Sequence, residues 1–315
     1  MATWKVTCWN GAEYVLPEPL AWRLEYGLGS PCDSFWVKTL WSTGQESVLG
    51  DAIRMTVANG GETVFFGVVD ECECTWSEEG CTAVFSGRGM QALLLDNQAE
   101  AVDFGQATLA EILRRYVTPY GITVASSAAL PAVWGFSVGS GSSCWKVLYD
   151  FARYHGGVTP RFDRRGRLCL SGWTNGTPVE IGRDTPVTKL TFREKRYGVL
   201  SQVTVKDVSG WMRQTEVNEA FTRKGGCCGR VMLLPRNTGY QARRYNARFQ
   251  LERSASRMRE VEVTVSIPFA AWPGDLVKVE RNEGAGTYRV LESRVTFGEE
   301  GCETFLVLGD PNAVL

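Results

Sequence analysis

The sequence predicts a mainly β protein with an α/β insert: two small antiparallel β-barrel domains on either side of an α/β domain. Short apolar strands separated by Gly, Pro, Asn or Ser fill the N-terminal part, helix-spaced apolar residues follow, and the strand pattern then returns. The chain has 34 glycines and 11 tryptophans among 315 residues, which is typical of a β-rich protein with many turns. We expect domains at residues 1–102, 103–187 and 188–315.

The N-terminal domain is predicted to contain six short strands. Their spacing between turn residues is typical of an antiparallel barrel or sandwich. The segment SEEG at 77–80 is expected to close a hairpin, because a four-residue loop ending in Gly joins two apolar runs there. The predicted strands are residues 4–9, 21–27, 33–41, 52–58, 62–76 and 81–86.

The middle domain is predicted to contain two helices followed by a hairpin. Apolar residues at helical spacing begin at Leu109, Thr108 and Glu111 form a capping box, and Pro119 with Gly121 ends the helix. The second helix runs through SCWKVLYDFARYHGG, with Ser142 or Ser143 as its N-cap and Gly156–Gly157 as its end. The hairpin follows as VTPRF, a DRRGR turn and LCLSG. The apolar stripe of the first helix is Leu109, Ile112, Leu113, Tyr116 and Val117.

The C-terminal domain is predicted to be a second small barrel with a long excursion at about 209–258. Strands are expected at 189–194 and 199–208, followed by four more, with PGD (273–275), NEGAG (282–286) and EEG (299–301) as turns. Within the excursion, 209–241 is expected to be a loop or hairpin. Residues 242–258 are expected to form a basic helix with Tyr245, Phe249 and Ala255 inward. No tandem sequence repeat is visible. The last four strands are REVEVTVSI, PGDLVKVER, GTYRVLESRVTF and CETFLVLGD.

Composition excludes several classes of partner. The net charge is −1 and the isoelectric point about 6.1, so no overall field draws the chain to DNA or to an anionic membrane. We therefore expect no membrane binding and no sequence-specific nucleic-acid binding. No basic segment followed by an apolar run opens the sequence, so Sec-type export is not expected, and we expect the protein to be made and kept in a cytoplasm or to leave by another route.

The 10 cysteines lack any CxxC spacing and are expected to be reduced, small and mostly buried residues. Cys72, Cys74 and Trp76 share one strand face, and Cys81 joins that face if it pairs with Trp76. Three thiols could hold zinc if a fourth ligand came from elsewhere. We favour a core face built of small sulfur side chains, and we predict no metal site.

No residue pattern indicates catalysis or a cofactor. His155, the single histidine, sits at a predicted helix end before two glycines, where a histidine usually caps carbonyls or is exposed. Asp70, Glu71 and Glu73 are close in sequence, but Glu71 and Glu73 are expected on an acidic solvent face. No HExxH, Walker A, GxGxxG or GxSxG spacing occurs. We therefore predict no enzyme activity, no catalytic residue and no cofactor.

Two arginine clusters could contact phosphate groups. They lack interleaved aromatic residues, apart from Tyr245 and Phe249, so a solvated face or intersubunit salt bridges is the favoured interpretation. The first cluster is Arg161, Arg164, Arg165 and Arg167, and the second is Arg243, Arg244, Arg248, Arg253, Arg257 and Arg259.

Five segments, taken in their order along the chain, carry a resemblance to a known family. They are VFFGVVDECECTW, FSGRGMQALLLDNQAEA, TLAEILRRYVTPYGI, SCWKVLYDFARYHGGVTPRFDRRGRLCLSG and PGDLVKVERNEGAGTYRVLESRVTF. Together they resemble the baseplate or tail hub proteins of contractile phage tails and related injection machines. This family includes Mu-type and late-control-D-like hubs and the hubs of phage-derived bacteriocins. Residues 1–60 and 209–241 contribute little to the resemblance.

The resemblance implies a homotrimer whose subunits each carry two related β-barrel domains. Three subunits would form a pseudo-sixfold ring in the tail baseplate that joins a hexameric tail tube to a trimeric central spike. Tape-measure and baseplate wedge proteins are further expected partners, and tape measure or DNA would occupy the channel. Two alternatives stay open from the residues: a peptidoglycan-acting or glycan-binding β-rich tail-associated protein, and a metal-dependent regulator built on Cys72, Cys74 and Cys81.

Overall fold

The computed structural model describes residues 2–28, 32–42, 46–78, 80–207, 213–234, 240–281 and 284–312. Four parts of the sequence predictions fall outside these ranges: Glu79 in the first hairpin, 208–212 and 235–239 in and beside the excursion, and 282–283 in the NEGAG turn. The prediction of a mainly β fold with an α/β insert is confirmed. The domain boundaries stay a prediction.

The elements follow one another as β-unit, α/β unit, β-unit. The strands of the first part are β1 (Ala2–Cys8), β2 (Glu13–Val15), β3 (Pro19–Gly27), β4 (Ser34–Leu40), β5 (Ala52–Asn59), β6 (Glu62–Ser77) and β7 (Gly80–Gly89). The middle and last parts contain β8 (Val102–Ala107), β9 (Val124–Ser127), β10 (Val133–Val138), β11 (Arg161–Phe162), β12 (Leu168–Leu170), β13 (Val179–Ile181), β14 (Val187–Glu194), β15 (Gln202–Asp207), β16 (Arg213–Val217), β17 (Gly229–Leu234), β18 (Arg259–Val265), β19 (Leu276–Val279), β20 (Gly286–Gly298) and β21 (Gly301–Gly309). The helices are α1 (Glu46–Asp51), α2 (Ala92–Asp96), α3 (Leu109–Tyr116), α4 (Cys144–Tyr149), α5 (Glu219–Thr222) and α6 (Tyr240–Ala255).

Both β-units belong to one large sheet. Within the described residues its strand order is β14-β18-β21-β20-β3-β4-β7-β6-β5-β1-β2, and β19 pairs with β20 and carries β13. The two halves join where β3 and β20 pair antiparallel, from Trp22 opposite Phe297 to Gly27 opposite Glu292. Backbone hydrogen bonds therefore hold the two predicted barrels side by side.

Each half of the large sheet covers its own apolar core, because alternate residues of its strands face inward. The N-terminal core centres on the fully buried Trp4, Met55 and Phe85, and the C-terminal core centres on Val263 and Leu306. A third core lies inside the α/β unit and contains Leu94, Ile112, Leu148, Phe151 and Leu168.

The helix caps of the α/β unit follow the sequence closely. Thr108 Oγ1 accepts a hydrogen bond from the Glu111 backbone N–H at 3.3 Å, and Ser143 Oγ accepts one from Lys146 N–H at 3.1 Å. Both satisfy N–H groups that have no partner inside the helix. Helix α4 then continues as one π-helical stretch over Asp150–His155, so the second predicted helix is present with a widened last part.

The excursion is more ordered than the sequence suggested. Strand β15 pairs antiparallel with β16 and parallel with β17, and forms a separate three-stranded sheet. Helix α6 covers this sheet by packing Ala247 and Leu251 against Val203 and Val205. The expectation that 199–208 belongs to the second barrel is therefore wrong, since β15 pairs with the excursion instead.

Helix α6 has more than one buried side, which explains an error in the predicted inward residues. Phe249 is buried as expected, whereas Tyr245 is 41% exposed and Ala255 is half-buried. Strand β15 lies against Ala247 and Leu251, and the π-helical stretch lies against Phe249. Among the described residues, no helix is both long and apolar enough to cross a membrane.

Candidate assembly surfaces

The cysteine face predicted on β6 and β7 has the expected register but no metal-binding arrangement. Trp76 lies opposite Cys81, and the Sγ atoms of Cys74 and Cys81 are 3.3 Å apart. Burial raises the pKa of the Cys72 thiol to about 11, which favours its protonated form. Within the described ranges, no group of three His, Cys, Asp or Glu side chains is placed to hold a metal ion. Trp76 is 58% exposed rather than packed beside the thiols, because the hairpin runs beyond the core.

The histidine and the acidic residues of β6 lie in different surroundings. The His155 ring stands edge-on to Phe136 at 5.8 Å, and burial lowers the pKa of His155. Glu71 and Glu73 are exposed on the outer face of β6, as predicted. The absence of a catalytic site stays a prediction.

Arg88 joins two acidic residues that the sequence does not mark as a group. Its guanidinium binds Asp70 at 2.7 Å and Asp96 at 2.7 Å. Asp70 is on β6 and Asp96 ends α2, so the ion triad fixes the first helix of the α/β unit to the large sheet. These residues are the last Asp of GVVD, the Arg of GRG and the Asp of LLLD, the segments that carry the hub resemblance.

The glycines around Arg88 lie where two strands approach closely. Strand β7 runs to Gly89. A Cβ at Gly87 would lie 2.0 Å from the Val68 carbonyl oxygen, and one at Gly67 would lie 2.1 Å from that of Arg88. Both glycines therefore permit a close approach of β6 and β7 beside the bulge between Val69 and Glu71.

The first arginine cluster is divided between aromatic and acidic partners. The Arg161 guanidinium carbon lies 4.0 Å from the centre of the Trp173 ring, and that of Arg164 lies 4.6 Å from Trp272. Arg167 pairs with Asp163 at 2.7 Å. The cluster therefore does not form one continuous phosphate-binding surface.

The second arginine cluster is also dispersed. Arg243 is buried, Arg248 pairs with Glu252 at 2.7 Å, and Arg257 pairs with Glu292. Arg253 lies 5.9 Å from the Phe249 ring. These arginines therefore have partners within the chain, which leaves less positive charge for the intersubunit salt bridges that the sequence suggested.

A cavity of about 640 Å³ lies where the large sheet, the α/β unit, α6 and the 272–275 loop meet. Its walls combine aromatic rings with a few charged groups, an arrangement that is common in ligand pockets. Asp33 opens onto it and accepts a hydrogen bond from the Gly27 N–H at 3.2 Å. Burial raises the pKa of Asp33 from 3.8 to about 7. The lining includes Tyr26, Trp145, Tyr149, Arg161, Arg164, Trp173, Phe249, Arg253 and Trp272.

The raised pKa of Asp33 predicts that the free energy of unfolding depends on pH. Its pKa is higher in the folded chain than in the unfolded chain, so its neutral form supports folding fully below pH 3.8, and this support is lost as the pH rises through about 7. We expect wild type to lose about 1–2 kcal/mol relative to Asp33→Asn between pH 5 and pH 8. Urea unfolding of both proteins at the two pH values measures this difference. Equal losses in both proteins would remove Asp33 as the cause.

Two hairpins of the large sheet have the same tip. Residues 75–81 read TWSEEGC and residues 296–302 read TFGEEGC. Trp76 pairs with Cys81 across the first tip just as Phe297 pairs with Cys302 across the second. This short repeat is visible in the sequence and was missed, because it is not tandem and covers only the ends of two strand pairs.

Both tips project from the same end of the sheet. Strands β20 and β6 are separated by β3, β4 and β7, and every neighbouring pair along this path is antiparallel. Hence β20 and β6 run in the same direction, and each ends at its own tip. The ring of Trp76 is 58% exposed and that of Phe297 is 39% exposed.

The large sheet ends in two edge strands that carry exposed side chains. In the described part of the chain, its main strand order ends at β14 on one side and at β2 on the other. Strand β14 exposes Lys189 and Phe192, and β2 exposes Glu13 and Val15. Exposed strand edges of this kind are open to pairing with another chain.

The fold and part of the sequence match tail and baseplate proteins. Residues 92–172 match the family model "Baseplate hub protein gp44-like, second domain". No curated protein sequence matches the chain significantly. The predicted resemblance to baseplate hub proteins is confirmed.

Solved structures extend this similarity over the whole chain. The tail protein from Neisseria meningitidis MC58 has a TM-score of 0.79 at 17% identity, covering 99% of this chain and 98% of its own. The 43 kDa tail protein of prophage MuSo2 from Shewanella oneidensis has a TM-score of 0.78 at 19% identity, covering 100% of this chain and 99% of its own. The E. coli c3393 protein, a type VI secretion component, has a TM-score of 0.59 at 13% identity, covering 92% of this chain and 73% of its own. The chain thus has the fold of phage tail proteins, which also occurs in a secretion system.

Proposed function

We propose that this chain is the structural hub of a contractile tail or injection baseplate. Three copies would form a pseudo-sixfold ring that joins the hexameric tail tube to the trimeric central spike. The observation that carries the proposal is the pair of matched hairpins on one end of one sheet, in a chain whose whole length has a tail-protein fold.

The number of hairpin tips fits a protein that joins a threefold spike to a sixfold tube. Each chain supplies two hairpin tips, and the strands β6 and β20 that lead to them run in the same direction in the sheet. Three chains around a threefold axis therefore supply six similar tips, which is the number a sixfold tube presents. A trimer of chains with a single such hairpin would supply only three.

The edge strands offer a way to close the ring. A ring needs a head-to-tail contact between two different surfaces of the subunit, and β14 and β2 are two such surfaces. Both strands present exposed side chains at these edges, Lys189 and Phe192 on β14 and Glu13 and Val15 on β2. Pairing β14 with β2 would also cover both exposed edges.

The remaining parts of the proposal follow from the hub role. The spike, the tube, the tape-measure protein and baseplate wedge proteins are the proposed partners, and assembly takes place in the bacterial cytoplasm before incorporation into the particle. We propose no catalytic function. One observation favours glycan binding as a second candidate: the aromatic cavity, which contains Trp145 and Asp33. Calorimetric titration with soluble peptidoglycan fragments tests that candidate.

The native mass of the purified chain tests the proposal. A trimer of the 34.9 kDa chain would have a mass of about 105 kDa, three times that value. We expect this mass for the chain alone or in the presence of its spike and tube proteins. A chain that stays monomeric with both partners present would contradict the hub.

A further inference from the structure

We propose that the tips Trp76–Cys81 and Phe297–Cys302 are two equivalent docking contacts for one repeated acceptor on the tail tube. The acceptor would be a basic rim around an apolar pocket, because each tip presents an aromatic ring beside glutamates. This inference rests on the proposed function, and it assigns the tube contact to specific residues.

The two tips share their strand register and a closing glycine with positive φ. Ser77 pairs with Gly80 at the first tip, and Gly298 pairs with Gly301 at the second. The closing glycines have φ values of +123° and +97°, a conformation that side-chain-bearing residues rarely adopt. Both hairpins therefore close in the same register, and an acceptor can meet the aromatic ring at the same position of either hairpin.

The strands that follow the two tips also bury their side chains at matching positions. Ala83 and Thr304 occupy matching positions two residues after the tip cysteine, and both are fully buried. Phe85 and Leu306, two residues further, are also fully buried. The aromatic ring of each tip thus stands at the same distance along its hairpin from the buried layer.

Packing does not explain why the tips are alike. The matched core positions use different residues, whereas the exposed turns share Glu-Glu-Gly-Cys. Glu78, Glu299 and Glu300 are exposed, and none forms an ion pair within the described residues. An acidic turn that occurs at two exposed places indicates a shared external contact.

The chemistry of the tips specifies the acceptor. Exposed aromatic rings commonly supply most of the binding energy of an interface when a pocket covers them. The same pocket has to admit both Trp76 and Phe297, so it must be apolar and wide. Unpaired glutamates beside the ring attract lysine or arginine, which makes the contact sensitive to salt.

The test uses the full-length chain and the tail tube protein of the same particle, immobilised on a sensor. We expect Trp76→Ser and Phe297→Ser each to weaken binding about 10–30-fold, and the double variant to weaken it more than about 100-fold. Glu78→Lys with Glu299→Lys should weaken binding about 10-fold at low salt and less at about 0.3 M salt. Trp134→Ser, at an exposed tryptophan away from the tips, and Glu219→Lys, at an exposed glutamate of α5, are the matched controls.

Native mass, measured on every variant, separates this inference from the hub itself. Loss of tube binding by tip variants that keep the wild-type mass, with the controls binding normally, supports the inference. Tube binding by the double variant within about twofold of wild type overturns it, while a trimeric mass leaves the hub in place. Failure of trimeric wild-type protein to bind the tube also overturns it. A monomeric wild type in all conditions counts against the proposed function.

Discussion

Replacement of Gly87 by alanine is expected to destabilise the chain by more than about 3 kcal/mol, or to prevent folding. The added Cβ would lie 2.0 Å from the Val68 carbonyl oxygen and 2.7 Å from the Phe35 ring. The first of these atoms is backbone inside a paired strand, so a side-chain rotation cannot relieve the clash. Strands β6 and β7 would have to separate beside the ion triad of Arg88. Thermal or urea unfolding of the purified variant measures the loss.

Gly105→Ala is the matched control for this prediction. A Cβ there would meet no atom within 4 Å, and its backbone is not in the left-handed region. We expect its stability to stay within about 1 kcal/mol of wild type. A Gly87→Ala variant as stable as the Gly105→Ala variant would show that β6 and β7 are further apart than the structure has them.

Replacement of Arg289 by methionine is expected to cost about 3–5 kcal/mol of unfolding free energy. Arg289 is 4% exposed and holds together three segments that are distant in sequence. Its guanidinium donates to the Pro311 carbonyl oxygen at 2.6 Å, to that of Gly274 at 2.7 Å and to Asn175 Oδ1 at 2.9 Å. Methionine fills similar space but donates no hydrogen bond, so the buried Gly274 carbonyl oxygen and the part-buried contacts to Pro311 and Asn175 would lose their donor. Urea unfolding measures the change.

Arg294→Met serves as the comparison on the same strand. The side chain of Arg294 is 46% exposed, and its contact with Glu25 is 3.8 Å long. Exposed ion pairs contribute little, so we expect a loss below about 1 kcal/mol. Similar losses in the two variants would mean that the Arg289 contacts do not join the C-terminal segment to the 274 loop and to Asn175.

Local patterns allowed much of the fold to be predicted from sequence. The capping box at Thr108, the helix start at Ser143 and the pairing of Trp76 with Cys81 all depend on residues close together in the chain. Each is determined by one turn of helix or one hairpin, where local geometry dominates. The fold class followed from the order of such segments.

The contacts missed from the sequence join distant segments. The β3–β20 pairing links residues near 25 with residues near 294, and no local pattern selects that partner. The parallel pairing of β15 with β17 was missed because polar, glycine-rich residues between them resemble a loop. The Arg88 triad was missed for a similar reason, since Asp70 and Asp96 come together only when α2 folds against the sheet.

The candidate assembly surface was only partly visible in the sequence. The acidic outer face of β6 followed from strand alternation, which places Glu71 and Glu73 outward. The arginine clusters were misleading, because neighbouring arginines in sequence find separate partners such as Trp173 and Asp163. The repeated Glu-Glu-Gly-Cys tip was present in the sequence, but its meaning depends on the sheet order that points both tips the same way.

Imaging of the assembled protein by cryo-electron microscopy tests the central claim most directly. We predict a closed ring of three chains, with adjacent chains joined through β14 and β2, and with the six hairpin tips of Trp76 and Phe297 on one rim. A ring with its two kinds of tip on opposite rims, or an assembly without threefold symmetry, would contradict the account.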